Sequence, residues 1–235
     1  MKTLLFIAAD SREFAGLLRH SRALEALDWP VDYSRKMEHD GNNWFLVANG
    51  PGPALASGAA LVATRRTAVD AIVSTGFCGG LDPVLAPCEV FVADRVVASD
   101  TGESHPALRP RLCPSVPAGS IVCGDRVIQT VEEKQQIRLE TGASAVDMES
   151  SAVQSAALEA GVPFYCVRVV TDTAREGFST DFNSARNRDG RFSLRKIVFS
   201  ALRHPCARVP ELFRLQRRSR QAADALGDFL ADCKF

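Results

Sequence analysis

The sequence predicts an α/β fold: a three-layer αβα domain around a central mixed, largely parallel sheet. Apolar segments alternate with helical segments along the chain, which is typical of a sheet with helices on both sides. Several apolar segments are continuous rather than alternating, as expected for strands covered on both faces. The 235 residues contain no internal repeat and no low-complexity linker. We therefore expect a single domain over residues 1–235, which ends in a basic helical segment, 186–235.

The elements follow from these patterns in chain order. The predicted strands are the apolar runs Leu4–Ala8, Trp44–Val47, Ala71–Ser74, Val90–Val97 and Phe164–Val170. The predicted helices are Glu13–Ala26, Ala54–Arg66, Val131–Glu140, Ser150–Ala160 and Glu211–Asp232. The first apolar run also has the length of a signal-peptide core. However, Asp10, Arg12 and Glu13 follow at once, where a small-residue cleavage site would lie. We therefore predict a buried first strand.

Composition narrows the class of protein. The formal net charge is zero, which argues against a nucleic-acid partner. Seven cysteines, an odd number without any C-x-x-C pair, form neither a disulfide framework nor a zinc site, and they are compatible with a reducing cytosol. No apolar run approaches the ~20 residues of a membrane span. We expect a cytoplasmic protein without metal or cofactor.

A glycine-rich segment follows the third predicted strand. It reads T-G-F-C-G-G-L and contains Gly76, Phe77, Cys78 and Gly79. Ligands in α/β folds bind beyond the carboxyl ends of the strands, and glycine lets the backbone approach a ligand closely. The alternative is a tight turn without a ligand. For Cys78, a small buried hydrophobe is favoured over a nucleophile, because no histidine is nearby and no G-x-S-x-G motif is present.

A second glycine segment, Asn49-Gly50-Pro51-Gly52-Pro53, precedes a predicted helix. It is not a dinucleotide fingerprint, because Leu55 replaces the third glycine and two prolines remove N–H groups. We interpret it as a turn under the site.

Two acidic segments are candidates for chemistry. Asp147-Met148-Glu149 begins a predicted helix, where carboxylates act as caps. The functional alternative is that Glu149 binds a vicinal diol, because a carboxylate accepts two hydrogen bonds. Asp172 follows an apolar strand and is either a solvated loop residue or a general acid in a desolvated pocket.

Taken in order, three segments resemble the nucleoside phosphorylase and nucleosidase family. They are S-T-G-F-C-G-G-L, A-V-D-M-E-S-S-A and V-R-V-V-T-D-T, between Ser74 and Thr173. The resemblance covers roughly Met1 to Asp172 and implies cleavage of the N-glycosidic bond of a purine nucleoside. It also implies a homo-oligomer and a nucleoside as the small-molecule partner.

The resemblance implies a role for each matching residue. Glu149 would bind the ribose 2′- and 3′-hydroxyls, with Met148 against the sugar. Asp172 would donate a proton toward N7 of the purine. Glu13 would activate the attacking water, although its alignment needs one inserted residue. The segment with Gly76, Phe77, Cys78 and Gly79 would lie beneath the ribose and base. 

Departures from the family pattern concern the acceptor and the base. Ser74-Thr75 stands where the phosphorylases carry a phosphate-binding arginine, and their early phosphate loop is absent, although Arg12 or Arg35 could substitute. This favours hydrolysis of an adenine nucleoside over phosphorolysis to ribose 1-phosphate. A catalytically silent nucleoside-binding protein is a further alternative, against which the presence of both Glu149 and Asp172 speaks. In the family's base-stacking segment, Val127 occupies the aromatic position, followed by Ile128. Asp147 replaces the family's first glutamate, a change that we expect to be minor.

The C-terminal segment is strongly basic. Only Asp189 and Glu211 oppose eleven basic residues: Arg186, Arg188, Arg191, Arg195, Lys196, Arg203, Arg208, Arg214, Arg217, Arg218 and Arg220. Interleaved apolar residues predict either a solvated helix that packs its apolar stripe on the core, or peripheral contact of 186–220 with an anionic membrane. The segment also resembles the hopanoid-associated branch of the family, which implies adenosylhopane as substrate.

Overall fold

The computed structural model describes residues 1–21, 24–111, 113–187 and 189–235. Among them, one mixed sheet organises the chain, as the sequence predicts. Its strands are β1 Thr3–Ala8, β2 Leu24–Ala26, β3 Tyr33–His39, β4 Asn42–Ala48, β5 Ala71–Gly80, β6 Val90–Ala98, β7 Ser104–Pro106, β8 Ala118–Cys123, β9 Ala145–Asp147 and β10 Phe164–Asp172.

The sheet has a parallel centre with antiparallel additions. β1 lies between β4 and β5, and both pairings are parallel. β5 also pairs in parallel with β10, whereas β10 pairs antiparallel with β6. β6, β8 and β9 then pair in parallel in that order, and β9 returns antiparallel to β5. Strands β5, β10, β6, β8 and β9 therefore form a closed circuit, and β1, β4, β3 and β2 extend outward from β5.

Six helices flank this sheet in the described part of the chain. Their bounds are α1 Ala15–Leu18, α2 Pro53–Arg66, α3 Val131–Thr141, α4 Ser150–Ala160, α5 Leu194–Arg203 and α6 Pro205–Asp232. Alanines of α2 and α4 pack on one side of the sheet. α1 and the C-terminal half of α6 pack on the other side. Apolar side chains thus cover both faces, which explains the continuous apolar strands.

The predicted helix Glu13–Ala26 is wrong over most of its length. Ser11–Phe14 form a 3-10 turn and α1 ends at Leu18. β2 then pairs antiparallel with β3, which gives its backbone ladder hydrogen bonds at the sheet edge. Arg22 and Ala23 of this predicted helix, like Arg188 in the basic segment, lie outside the described residues.

The short α1 is fixed by a close crossing with α6. A Cβ on Gly16 would lie 2.2 Å from the carbonyl oxygen of Ala223, and a Cβ on Gly227 would lie 2.0 Å from the amide nitrogen of Leu17. Glycine at both positions lets the two backbones touch. This contact helps to hold the 3-10 turn, and with it Glu13, against Gly76 and Phe77 of β5.

The described helices include none that is both long and apolar enough to cross a lipid bilayer.

Candidate active site

The glycine-rich segment belongs to the sheet and is not a loop. We predicted that the strand ends at Ser74, but β5 continues to Gly80 because its backbone pairs with β10 as far as Gly79. Gly76 has φ +133°, and a Cβ there would lie 2.8 Å from Oε2 of Glu13. A side chain at this position would therefore displace the Glu13 carboxylate. The glycine makes room for a catalytic candidate.

Glu13 is buried and its carboxylate is fixed by backbone amides. Oε2 accepts hydrogen bonds from the N–H groups of Ala9 and Asp10 at 2.8 and 3.1 Å. Oε1 accepts one from the N–H of Phe77 at 3.0 Å. Burial raises the pKa of Glu13, and the nearby Arg168 guanidinium partly opposes this shift. The residue is thus oriented rather than free to rotate.

The two acids of the segment Asp147-Met148-Glu149 have different hydrogen-bond partners. Asp147, the last residue of β9, caps α4, because its carboxylate accepts hydrogen bonds from the amide and hydroxyl of Ser150. Glu149 makes no capping hydrogen bond. Its Oε1 instead accepts a hydrogen bond from the N–H of Gly52 at 2.9 Å. The glycine turn at Gly52 therefore contacts the site, and Glu149 is more than a helix cap.

Arg168 lies at the centre of the site and was missed by the sequence analysis. It is fully buried on β10. Its Nη2 lies 2.5 Å from Oδ2 of Asp147 and its Nη1 lies 3.8 Å from Oε2 of Glu149. It also donates to the hydroxyl of Ser74 at 2.6 Å and to the carbonyl of Thr75 at 2.9 Å. An arginine within an otherwise apolar strand, in V-R-V-V-T-D, was the signal available in the sequence.

Carboxyl groups outnumber cationic groups on the floor of this site. Three buried carboxylates, those of Glu13, Asp147 and Glu149, surround the Arg168 guanidinium. The pKa of Glu149 is raised to about 7: burial is the main cause, Asp147 and Glu13 act in the same direction, and Arg168 opposes the shift. The site is therefore organised to stabilise a positive charge on a bound ligand.

Asp172 is the last residue of β10 and is buried, not solvated. Its Oδ2 accepts a hydrogen bond from Nζ of Lys134 at 2.5 Å, and its Oδ1 lies 2.9 Å from the hydroxyl of Thr171. Burial raises the pKa of Asp172, whereas Lys134 and the Thr171 hydroxyl lower it. The register of β10 against β5 shifts between Val170 and Asp172. Lys134 was also missed, because it lies in the charged, helical E-E-K-Q-Q pattern of α3.

Residues 124–128 follow β8 and lie beside Asp147, because the N–H of Gly124 donates to the carbonyl of Asp147 at 2.9 Å. Asn183 clamps this segment: its Oδ1 accepts from the N–H of Val127, and its Nδ2 donates to the carbonyl of Val127, both at 2.9 Å. Ile128 is buried and packs beside Val146 of β9. Met148 is half-buried. These side chains are apolar, as required for a surface against a sugar or base.

The structure also describes the surroundings of Cys78 and of the two candidate phosphate ligands, Arg12 and Arg35. Cys78 is buried, and burial raises the pKa of its thiol well above the ordinary value, so it is a core side chain and not a nucleophile. Arg12, one candidate phosphate ligand, pairs with Asp10 and its side chain is 83% exposed. Arg35, the other candidate, lies over the Tyr33 ring. In the described residues, no group of three His, Cys, Asp or Glu side chains could bind a metal ion.

Known proteins share this sequence pattern. The sequence model of the phosphorylase superfamily matches residues 3–118 and 107–203. A 5′-methylthioadenosine/S-adenosylhomocysteine nucleosidase of Mycobacterium bovis is 25% identical over 61% of this chain and 75% of the relative. Its counterpart in Staphylococcus aureus (strain JH9) is 29% identical over 45% of this chain and 58% of the relative.

Solved structures share the fold. The same nucleosidase from Neisseria meningitidis, in complex with methylthio-immucillin-A, superposes with a TM-score of 0.76 at 20% identity, over 99% of this chain and 98% of that one. Futalosine hydrolase of Helicobacter pylori gives a TM-score of 0.75 at 15% identity, over 98% and 96%. Because the superfamily model spans most of the sequence, this chain belongs to the phosphorylase superfamily, the enzyme family of nucleoside phosphorylases and nucleosidases.

Proposed function

We propose that this enzyme hydrolyses the N-glycosidic bond of an adenine nucleoside. The observation that carries the proposal is the excess of buried carboxylates around Arg168. Cleavage of a glycosidic bond develops positive charge on the ribose ring. Fixed negative charge in a water-poor site stabilises that transition state without reorganisation.

Each carboxylate has a role that its contacts support. Glu149 is aimed by the Gly52 amide and binds the ribose hydroxyls, with Met148 against the sugar. Asp172 is desolvated, which raises its pKa, and donates a proton to the leaving base. Glu13 is held by three backbone amides and takes a proton from the attacking water.

Water is favoured over phosphate as the acceptor. Arg12 already pairs with Asp10, and Arg35 lies over Tyr33 on β3, which is flanked by β2 and β4. Neither contacts Glu149. The relatives named above are nucleosidases and a hydrolase, which also favours water. The competing activity is phosphorolysis to ribose 1-phosphate, and the alternative of another class is a silent nucleoside-binding protein.

For the 5′ substituent we propose a hopanoid chain, so that adenosylhopane is the substrate in hopanoid side-chain synthesis. The basic C-terminal segment supports this proposal by its resemblance to the hopanoid-associated branch. The nucleosidases above act on adenine nucleosides with a 5′ thioether, according to their names. We further propose a cytoplasmic homo-oligomer, as in the rest of the family.

The surface of α5 supports contact with a membrane. Leu194, Val198 and Leu202 lie one helical turn apart and are 72%, 46% and 67% exposed. Phe199 is 59% exposed beside them. These four exposed apolar side chains favour membrane contact over the alternative from the sequence, in which the apolar stripe packs on the core.

The positive charge of this surface favours an anionic bilayer as its partner. Arg195, Lys196 and Arg203 on α5 are exposed, whereas Glu211, one of the two acids of the segment, is buried. Two copies of such a face would repel each other. Anionic lipid headgroups complement it, and each basic residue near the surface contributes about 1 kcal/mol.

One assay tests the reaction. Adenosine and 5′-methylthioadenosine are incubated with the protein, with and without phosphate, and adenine, ribose and ribose 1-phosphate are separated. We expect adenine release that is indifferent to phosphate, with free ribose as the second product from adenosine and 5-methylthioribose from 5′-methylthioadenosine. A rate proportional to phosphate would establish a phosphorylase, and binding without release would establish a silent protein.

A second assay tests the membrane contact. The protein is sedimented with vesicles that contain phosphatidylglycerol and with vesicles of phosphatidylcholine alone. We expect binding only to the anionic vesicles, lost at high salt because of screening, and lost in the double variant Leu194→Gln/Leu202→Gln. The matched control is Leu139→Gln/Leu158→Gln, exposed leucines of α3 and α4. If the two double variants bound the anionic vesicles equally well, α5 would not be the surface that contacts the membrane.

A further inference from the structure

Lys134 is a buried cation behind the proposed proton donor. It lies on α3 with no exposed surface. Its three ammonium protons have three acceptors: Oδ2 of Asp172 at 2.5 Å and the carbonyls of Thr173 and Glu176 at 2.7 and 2.9 Å. A fully buried lysine is rare unless it is paired. Its direct partner is a residue of the reaction, and this calls for a role in that reaction.

Lys134 and burial have opposite effects on the protonation of Asp172. A general acid must carry its proton when the substrate binds, but a cation beside a carboxyl group favours the ionised form. Burial acts in the opposite direction and raises the pKa of Asp172. The strength of the acid is thus a balance between desolvation and Lys134.

Thr171 permits both protonation states with the same heavy-atom positions. Its hydroxyl has one proton and lies 3.2 Å from the carbonyl oxygen of Cys78 and 2.9 Å from Oδ1 of Asp172. When Asp172 is ionised, the hydroxyl donates to Oδ1. When Asp172 is protonated, Thr171 turns its proton to Cys78 and accepts the proton of Oδ1. Oδ1 is therefore the oxygen whose proton can leave, while Lys134 stays on Oδ2.

We propose that Lys134 is a positioning residue for proton donation: it fixes Oδ2 and neutralises the carboxylate that remains after the Oδ1 proton has moved to the base. The inference rests on the proposed hydrolase function. The proton of Asp172 goes to N7, and the electron pair of the C1′–N9 bond goes to the base. Water bonds to C1′ and loses a proton to Glu13. Asp172, ionised and paired with Lys134, is reprotonated from solvent for the next turnover.

Other charged or titratable groups around Asp172 come from two further elements and one loop. Glu176 lies in the loop after β10 and raises the pKa of Asp172. Glu176 is itself paired at 2.6 Å with Arg218 of α6, which also donates to the carbonyl of Thr171. The Cys78 thiol of β5 interacts with Asp172 as well. Lys134 is the direct ion-pair partner, so its removal has the largest effect.

The test is a pH profile of kcat/KM for Lys134→Gln on two substrates. For adenosine, whose base needs protonation, we expect the plateau to fall by about tenfold or more. The alkaline limb of the profile should shift to higher pH by about one to three units, because loss of the Lys134 cation raises the pKa of Asp172. For 4-nitrophenyl riboside, whose leaving group needs no proton, the rate should change little. The matched control is Arg138→Gln on the same helix, which breaks a pair with Asp82 away from the site and should leave both profiles unchanged.

A double-mutant cycle covers the case in which Lys134→Gln does not fold. In an Asp172→Asn background the buried ion pair is gone, so the double variant removes both charges together, which proteins tolerate better than removal of one. Lys134→Gln should then cause no further loss of adenosine turnover. An equal loss on both substrates, an unshifted alkaline limb, or an additive loss in the double variant would each show a purely structural lysine and overturn the inference. Failure of the wild-type protein to release adenine would instead overturn the proposed function.

Discussion

The substitution Glu149→Gln measures how much the buried Glu149 carboxylate destabilises the folded enzyme when no ligand is bound. Burial raises the pKa of Glu149 to about 7, against a usual value of 4.5. The native state therefore binds this proton more tightly than the unfolded chain. Its contribution to stability is fully present below pH 4.5 and is lost as the pH rises through about 7. Above that pH the native protein carries a buried charge that the unfolded chain would solvate.

The magnitude follows from this difference. About 2.5 pKa units correspond to roughly 3 kcal/mol of unfolding free energy at pH 8. Glutamine is uncharged at every pH, and its amide oxygen can still accept the hydrogen bond from Gly52. We expect Glu149→Gln to be more stable than wild type at pH 8 by up to roughly 3 kcal/mol and nearly equal to it near pH 4.5.

The assay is urea unfolding of both proteins at the two pH values, with Glu159→Gln, a substitution of an exposed glutamate of α4, as the control. The stabilised variant should be the poorer enzyme. Its kcat/KM should fall more for adenosine than for 2′-deoxyadenosine, by a difference that corresponds to roughly 1.5–3 kcal/mol. The reason is that the carboxylate removed by the substitution would bind the 2′-hydroxyl, which 2′-deoxyadenosine lacks. Equal destabilisation at both pH values, or an equal loss on both nucleosides, would refute the reasoning.

Three further changes probe the rest of the site. Asp172→Asn should release adenine about 100-fold more slowly or worse, and it should also lower the free energy of unfolding, because the buried Lys134 ammonium loses its counter-charge; wild-type turnover would exclude Asp172 as the acid. Glu13→Gln should abolish release, and added phosphate should not restore it; recovery with phosphate would identify a phosphorolytic route. Arg168→Met leaves the buried Asp147 carboxylate without its cation and should cost about 3–5 kcal/mol in urea unfolding. Adding Asp147→Asn should recover part of that loss; no recovery would show that packing, not charge, is what Arg168 provides.

Local pattern was sufficient for several elements. The predicted helix Ser150–Ala160 matches α4, and the helix predicted at Ala54–Arg66 differs from α2 by one residue. Five strands were predicted near their observed positions, because continuous apolar runs identify strands buried on both faces. Strands β2, β3, β7, β8 and β9 were not predicted. Their pairing partners, and not their own residues, make them strands.

In the candidate site, too, the sequence predicted some features and packing determined the others. Residue types in order along the chain identified Glu13, Glu149 and Asp172 as candidates. They could not show that β5 runs on through the glycine segment, since that depends on pairing with a strand about ninety residues later in sequence. Nor could they show that Arg168 and Lys134 are fully buried beside those acids. The pKa of a carboxyl group is set by the charges and solvent around it. Those surroundings exist only after distant segments have packed together, so the sequence determined which acids are present and the tertiary structure decided how each of them can act.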